Sequence, residues 1–76
     1  MMIRDVNGQI EKAIAEIERT YSKRMKFTIY DLSATKPCEG ASNFNNYKNG
    51  LQNKLSSKRI AQLYTSSQGI NTYIKL

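Results

Sequence analysis

Ser42-Asn43-Phe44-Asn45-Asn46-Tyr47-Lys48-Asn49-Gly50-Leu51-Gln52-Asn53-Lys54-Leu55 carries two patterns at once. Phe44, Tyr47, Leu51 and Leu55 recur at three- and four-residue spacing, which lays them along one stripe of a helix. Ser42, Asn46, Asn49 and Asn53 then fall near the opposite side, with Asn45 and Ser56 at its edge. An apolar inner stripe beneath an outer face of amides and hydroxyls predicts an amphipathic helix over 42–56, with Ser42 as its N-cap. Gly50 is the weak point, because glycine inside a helix costs about 1 kcal/mol relative to alanine; the helix either runs through it or ends or bends there. Five of the seven asparagines lie between residues 43 and 53. The codon bias of an AT-rich genome would enrich asparagine throughout the chain, so clustering is the more informative property.

Downstream, Arg59 to Thr65 and Ile70 to Leu76 are rich in strand formers. The second run alternates, with Ile70, Thr72, Ile74 and Leu76 on one face and Asn71, Tyr73 and Lys75 on the other. Ser66-Ser67-Gln68-Gly69 between them predicts a hairpin over 59–76 with a loop of four or five residues and Gly69 at positive φ. Tyr64 and Tyr73 read as a cross-strand pair holding the hairpin, with base stacking as the alternative.

Upstream, Ile3, Val6, Ile10, Ala13, Ile14, Ile17 and Tyr21 predict a first helix over 4–23 with Glu11, Lys12, Glu18 and Arg19 outside. Gly8 would delay its regular part by a turn. Not all of so wide a stripe, including both Ala13 and Ile14, can face a small body, so this helix offers a surface for homodimer pairing. Met25-Lys26-Phe27 reads as a short link. Thr28-Ile29-Tyr30-Asp31 resembles a capping box opening a second helix over 28–35, and Pro37 and Gly40 bracket a turn from Lys36 to Ala41. The expected fold class is α+β, three helices followed by a C-terminal hairpin, in one domain spanning 1–76.

The net charge of +6 is unevenly placed. Residues 1–22 sum to −1 and residues 23–76 to +7. Positive charge gathered in one part points to a polyanion, the alternative being a solvated basic surface. Lys23, Arg24 and Lys26 are either a phosphate clamp or the solvated end of a helix. Cys38 is the only cysteine, so no internal disulfide forms, and it reads as an ordinary turn or half-buried thiol, with a redox sensor as the alternative. The start lacks the apolar run of a signal peptide, no stretch reaches the length of a membrane span, and a cytoplasmic, nucleoid-associated location is expected by default. Catalysis has little to stand on. There is no histidine, no zinc spacing and no glycine-rich phosphate loop, so the expectation is a non-enzyme without metal or cofactor.

The chain resembles the winged helix-turn-helix superfamily over nearly its whole length. The resemblance rests on Phe27-Thr28-Ile29-Tyr30-Asp31-Leu32-Ser33, on the Tyr47, Leu51 and Leu55 stripe, and on Lys58-Arg59-Ile60 leading into the hairpin. Such domains place the third helix in the major groove and the hairpin, or wing, on the backbone or minor groove. The resemblance implies base-facing roles for Ser42, Asn45, Asn46, Asn49 and Asn53 and phosphate contacts from Lys48, Lys54, Lys58 and Arg59. It makes Ser66, Ser67, Gln68 and Asn71 the wing tip. The chain departs from the pattern in its long Lys36–Ala41 turn and in a wing tip without Arg or Lys. The expected function is sequence-specific binding of double-stranded DNA, as a small transcriptional regulator of bacterial, plasmid or phage origin. Asparagine would read adenine and the bases would neutralise phosphate. The alternative is a winged-helix adaptor that docks on a protein partner, for example a phage-type inhibitor of a host protein, and does not bind DNA.

Overall fold

The computed structural model describes Met1–Leu76. Two α-helices, α1 (Val6–Thr20) and α2 (Phe44–Ser57), pack on a three-stranded antiparallel sheet made by β1 (Lys26–Thr28), β2 (Ala61–Ser67) and β3 (Ile70–Lys75), in the order β1-β3-β2. The architecture is α+β, but it is not three helices with a hairpin wing. The expected second helix is absent, and the two C-terminal strands are joined by β1 into one sheet. The 27–33 stretch, one of the three on which the winged helix-turn-helix resemblance rested, therefore opens no α-helix.

α1 begins at Val6 because the Asp5 carboxylate accepts the Gly8 N–H at 2.9 Å, an N-cap that satisfies one of the free donors of the first turn. It ends at Thr20, three residues short of expectation, where Tyr21 turns extended and its ring stacks on Phe27 with centroids 4.8 Å apart. Ile10, Ala13, Ile14 and Ile17 are all buried in the domain's own core. The wide stripe is therefore consumed internally, and α1 keeps no spare apolar face for a dimer.

Between β1 and α2 the chain makes two 3₁₀ turns, Ile29–Asp31 and Lys36–Cys38. Asp31 accepts the Thr28 N–H at 2.9 Å, as the capping box requires, yet no α-helix follows. The Glu16 carboxylate of α1 takes the Ser33 and Ala34 N–H groups at 2.7 and 2.9 Å, and the Gln9 amide donates to the Ala34 carbonyl at 2.7 Å. Those backbone groups are then unavailable for a helical ladder. Ile29, Leu32, Thr35 and Cys38 are buried at intervals of three, the repeat of a 3₁₀ path. Burial raises the pKa of the Cys38 thiol. Glu16→Ala should lower stability by about 2 kcal/mol, the scale of two charge-assisted hydrogen bonds, whereas Glu11→Ala on the same helix should change the melting temperature little. Thermal denaturation of the two variants checks this.

Thr35 is the one buried polar side chain, and its hydroxyl meets the Tyr47 hydroxyl at 2.7 Å. Burial pushes the Tyr47 pKa up from 10 to about 12, the Thr35 bond opposing it. Below pH 10 folded and unfolded states both keep this proton. Above it the unfolded chain loses it first, so stability falls by about 2 kcal/mol as pH rises from 10 to 12. Denaturant titrations across that window should show the fall in the native chain. Tyr47→Phe should start about 1 kcal/mol lower, with Thr35 unpartnered, and lack that component of the decline.

The hairpin turn is tighter than expected. Ser67 pairs with Ile70, and Gln68 and Gly69 alone connect them at φ of 53° and 78°. Positive φ at both central residues is the two-residue turn that matches strand twist. A bulge between Leu63 and Thr65 breaks the alternation, so Leu63 rather than Tyr64 faces Tyr73. The Tyr64–Tyr73 pair does not form. Tyr73 lies between Leu63 and Phe27 across the sheet, and Tyr64 sits beneath Lys26, whose Nζ is 4.0 Å from the ring centroid. The alternating Ile70, Thr72 and Ile74 occupy the outer face, away from the buried Tyr73.

Candidate nucleic-acid interface

α2 runs without interruption through Gly50. A side chain there would press on α1, since a Cβ would lie 2.7 Å from the Ile10 terminal methyl. Gly50 thus gives up helix propensity for close helix–helix approach. Tyr47, Leu51 and Leu55 are fully buried beneath the helix. The N-cap is Asn43, not Ser42. Its amide exchanges two hydrogen bonds with the Ile3 backbone, at 2.8 and 3.0 Å, and fastens the N-terminal segment to α2.

This packing leaves Asn45, Asn46, Asn49, Asn53, Ser56 and Ser57 exposed along the outer side of α2, with Ser42 exposed just ahead of it. All five expected base-facing residues therefore share one accessible side of the molecule. The expected phosphate contacts separate. Lys48 is half-buried, and Lys58 and Arg59 are exposed at the helix end. Lys54 turns towards α1 and binds Glu11 at 2.7 Å, the only ion pair in the molecule. That bond and charge hold the Glu11 pKa below the usual carboxylate range. Of the expected tip residues, Gln68 is in the turn, while Ser66, Ser67 and Asn71 lie in the strands, Ser66 opposite Asn71.

The C-terminal end of α2 is a Schellman arrangement. The Ile60 N–H reaches the Leu55 carbonyl at 3.0 Å and the Arg59 N–H reaches the Ser56 carbonyl at 3.2 Å. Arg59 holds the left-handed position at φ 55°, where glycine is the usual occupant. Buried Ile60 and Leu55 supply the accompanying apolar contact.

Between α2 and β2 lies a cleft of about 600 Å³ lined by Gln52, Ser56, Arg59, Ala61, Leu63 and Tyr73, among others. A second cleft of about 480 Å³, bordered by Lys23, Arg24 and Lys75, shares Gln62 and Leu76 with the first. Arg59 borders the first cleft and Lys23 and Arg24 the second, none of them in an ion pair. Arg24 is fixed there by reciprocal backbone bonds of 2.8 Å, from its N–H to Lys75 and from the Lys75 N–H to Met25. Lys26 belongs to the outer sheet face, over Tyr64. Gln52 lines the cleft and is not among the residues expected from the sequence. Its spacing, three residues after Asn49 and four before Ser56, was the available signal.

No acidic side chain occurs after Glu39, so neither α2 nor the hairpin adds an Asp or Glu to this surface. Its side chains are hydrogen-bond donors and acceptors at the centre and cations at the margin, an arrangement that can contact base edges and phosphates together. No protein-family model matches the chain, and no curated protein or solved structure is significantly similar to it. No helix is long and apolar enough to cross a membrane.

Proposed function

We propose that the protein binds double-stranded DNA through the outer side of α2, in the manner of a small sequence-specific regulator. The observation that carries this reading is the exposed row Asn45, Asn46, Asn49 and Asn53 on a continuous helix, flanked by Lys48, Lys58 and Arg59. An α-helix fits the major groove, where asparagine can bond adenine through two contacts at once. Lys58 and Arg59 at the helix end meet the phosphates, and the Arg24, Lys23 and Lys75 cleft extends the path of the backbone.

The test is equilibrium binding to mixed-sequence duplex DNA across a salt series, with an acidic protein as control. Affinity should fall log-linearly with salt. Lys58→Ala combined with Arg59→Gly should reduce the magnitude of that slope by about 2, near one for each lost phosphate contact. Glycine suits the left-handed position at residue 59, so the helix end survives the change. Absence of DNA binding at low salt would overturn the proposal and leave the alternative, a protein-interaction module, for which Leu63, Tyr64 and Ile70 are the exposed apolar contacts.

A further inference from the structure

The hairpin differs from the rest of the molecule in one respect. From Ile60 to Ile74 there is no charged side chain, in a chain that is 24% charged with a net charge of +6. β2 is bonded to β3 along one edge only, so its other edge presents free N–H and C=O groups. Every β2 residue after Ala61 is exposed. Leu63 is 52% exposed on the face towards α2, and Tyr64 at 55% and Ile70 at 44% are exposed apolar groups of the same hairpin. Edge strands are ordinarily protected by charge, proline or shortness. β1, the opposite edge, is three residues long and carries Lys26. β2 is seven residues long with no charge or proline. Its one protective feature is the bulge at Tyr64, beyond which Thr65, Ser66 and Ser67 again pair regularly with β3.

From these features we infer that the free edge of β2 pairs antiparallel with the same edge of a second copy, about a twofold axis near Thr65, to make one six-stranded sheet. A strand meeting itself antiparallel is self-complementary, as a closed twofold interface requires. Charge permits a second copy at this edge. Two chains of +6 repel, and β2 brings no charge of its own to such a seam; Lys26 stands beside it on the outer face, over the Tyr64 ring. α1 cannot serve, because its apolar stripe is already buried. A twofold perpendicular to the sheet keeps both α2 helices on one side of it, so the two amide faces point the same way.

Sedimentation equilibrium of the full chain, without DNA, tests the pairing. The native chain should form dimers and nothing larger. Thr65 is exposed, so Thr65→Lys and Thr65→Glu should each keep the native circular dichroism and unfold cooperatively, with a melting temperature that no longer rises with protein concentration as the native chain's does. Each should also weaken dimerisation at least tenfold by setting like charges across the axis. An equimolar mixture of the two variants should recover the dimer. A native chain that stays monomeric, a dimer indifferent to Thr65→Lys, a mixture that fails to recover it, or open-ended assembly would each overturn the inference. Because no DNA is present, the outcome is separate from that of the DNA-binding test.

Discussion

Tyr47→Ala is expected to remove a large part of the stability of this domain. The side chain is fully buried, its ring stands 5.9 Å from Phe44, and its hydroxyl is the partner of Thr35. Truncation opens a cavity beneath α2 and leaves a buried hydroxyl unpaired, which together cost about 3–5 kcal/mol. A chain of 76 residues has only about 4–11 kcal/mol to lose. The variant should therefore unfold at low denaturant and show a large unfolded population at 37 °C. Leu63→Ala, half-exposed at the other side of the cleft, should cost less than about 1 kcal/mol. Equal losses in urea melts of the two variants would mean that the core is not centred where the structure puts it.

The second large effect concerns recognition. Asn49 and Asn53 stand one turn apart on the exposed side of α2, and their side chains make no hydrogen bond within the protein. At about 1–3 kcal/mol for each bidentate base contact, replacing both with alanine should weaken binding to the preferred site about thirtyfold or more. The salt dependence, set by phosphates, should not change. Alanine is the better helix former, so a loss of binding cannot be laid to a loss of fold. The measurement is affinity for a site selected from random duplexes and for an unrelated duplex, native and variant side by side. A uniform loss on both duplexes would show the asparagines acting without sequence preference, and no loss on either would exclude them from the interface.

The elements legible in the sequence were those whose signal is local and repeated. The stripes of α1 and α2 span several turns each, and strand formers on both sides of Gln68-Gly69 mark the hairpin. The exposed amide side of α2 followed directly from its stripe. What stayed hidden depended on distant partners. Lys26-Phe27-Thr28 is too short to announce a strand and becomes one because β3 offers it an edge. The capping box at Thr28 and Asp31 is real, but Glu16 on another element takes the backbone donors that a helix would need. The bulge, a single extra residue, exchanged Leu63 for Tyr64 opposite Tyr73. Lys54 reads in the sequence as a phosphate contact and Asn43 only as one of the clustered asparagines, while their partners, Glu11 and the Ile3 backbone, lie about forty positions away. No reading of residues 42–55 alone contains those contacts.

Arg59 sets two demands of the molecule against each other. A side chain in the left-handed region carries a penalty of about 1 kcal/mol that glycine escapes, and this one also holds a charge at the mouth of the cleft. A selection for heat resistance alone would be expected to favour glycine at this position, and a selection for affinity to polyanions would be expected to hold the arginine. The residue recovered under each regime would report which pressure the helix end answers to.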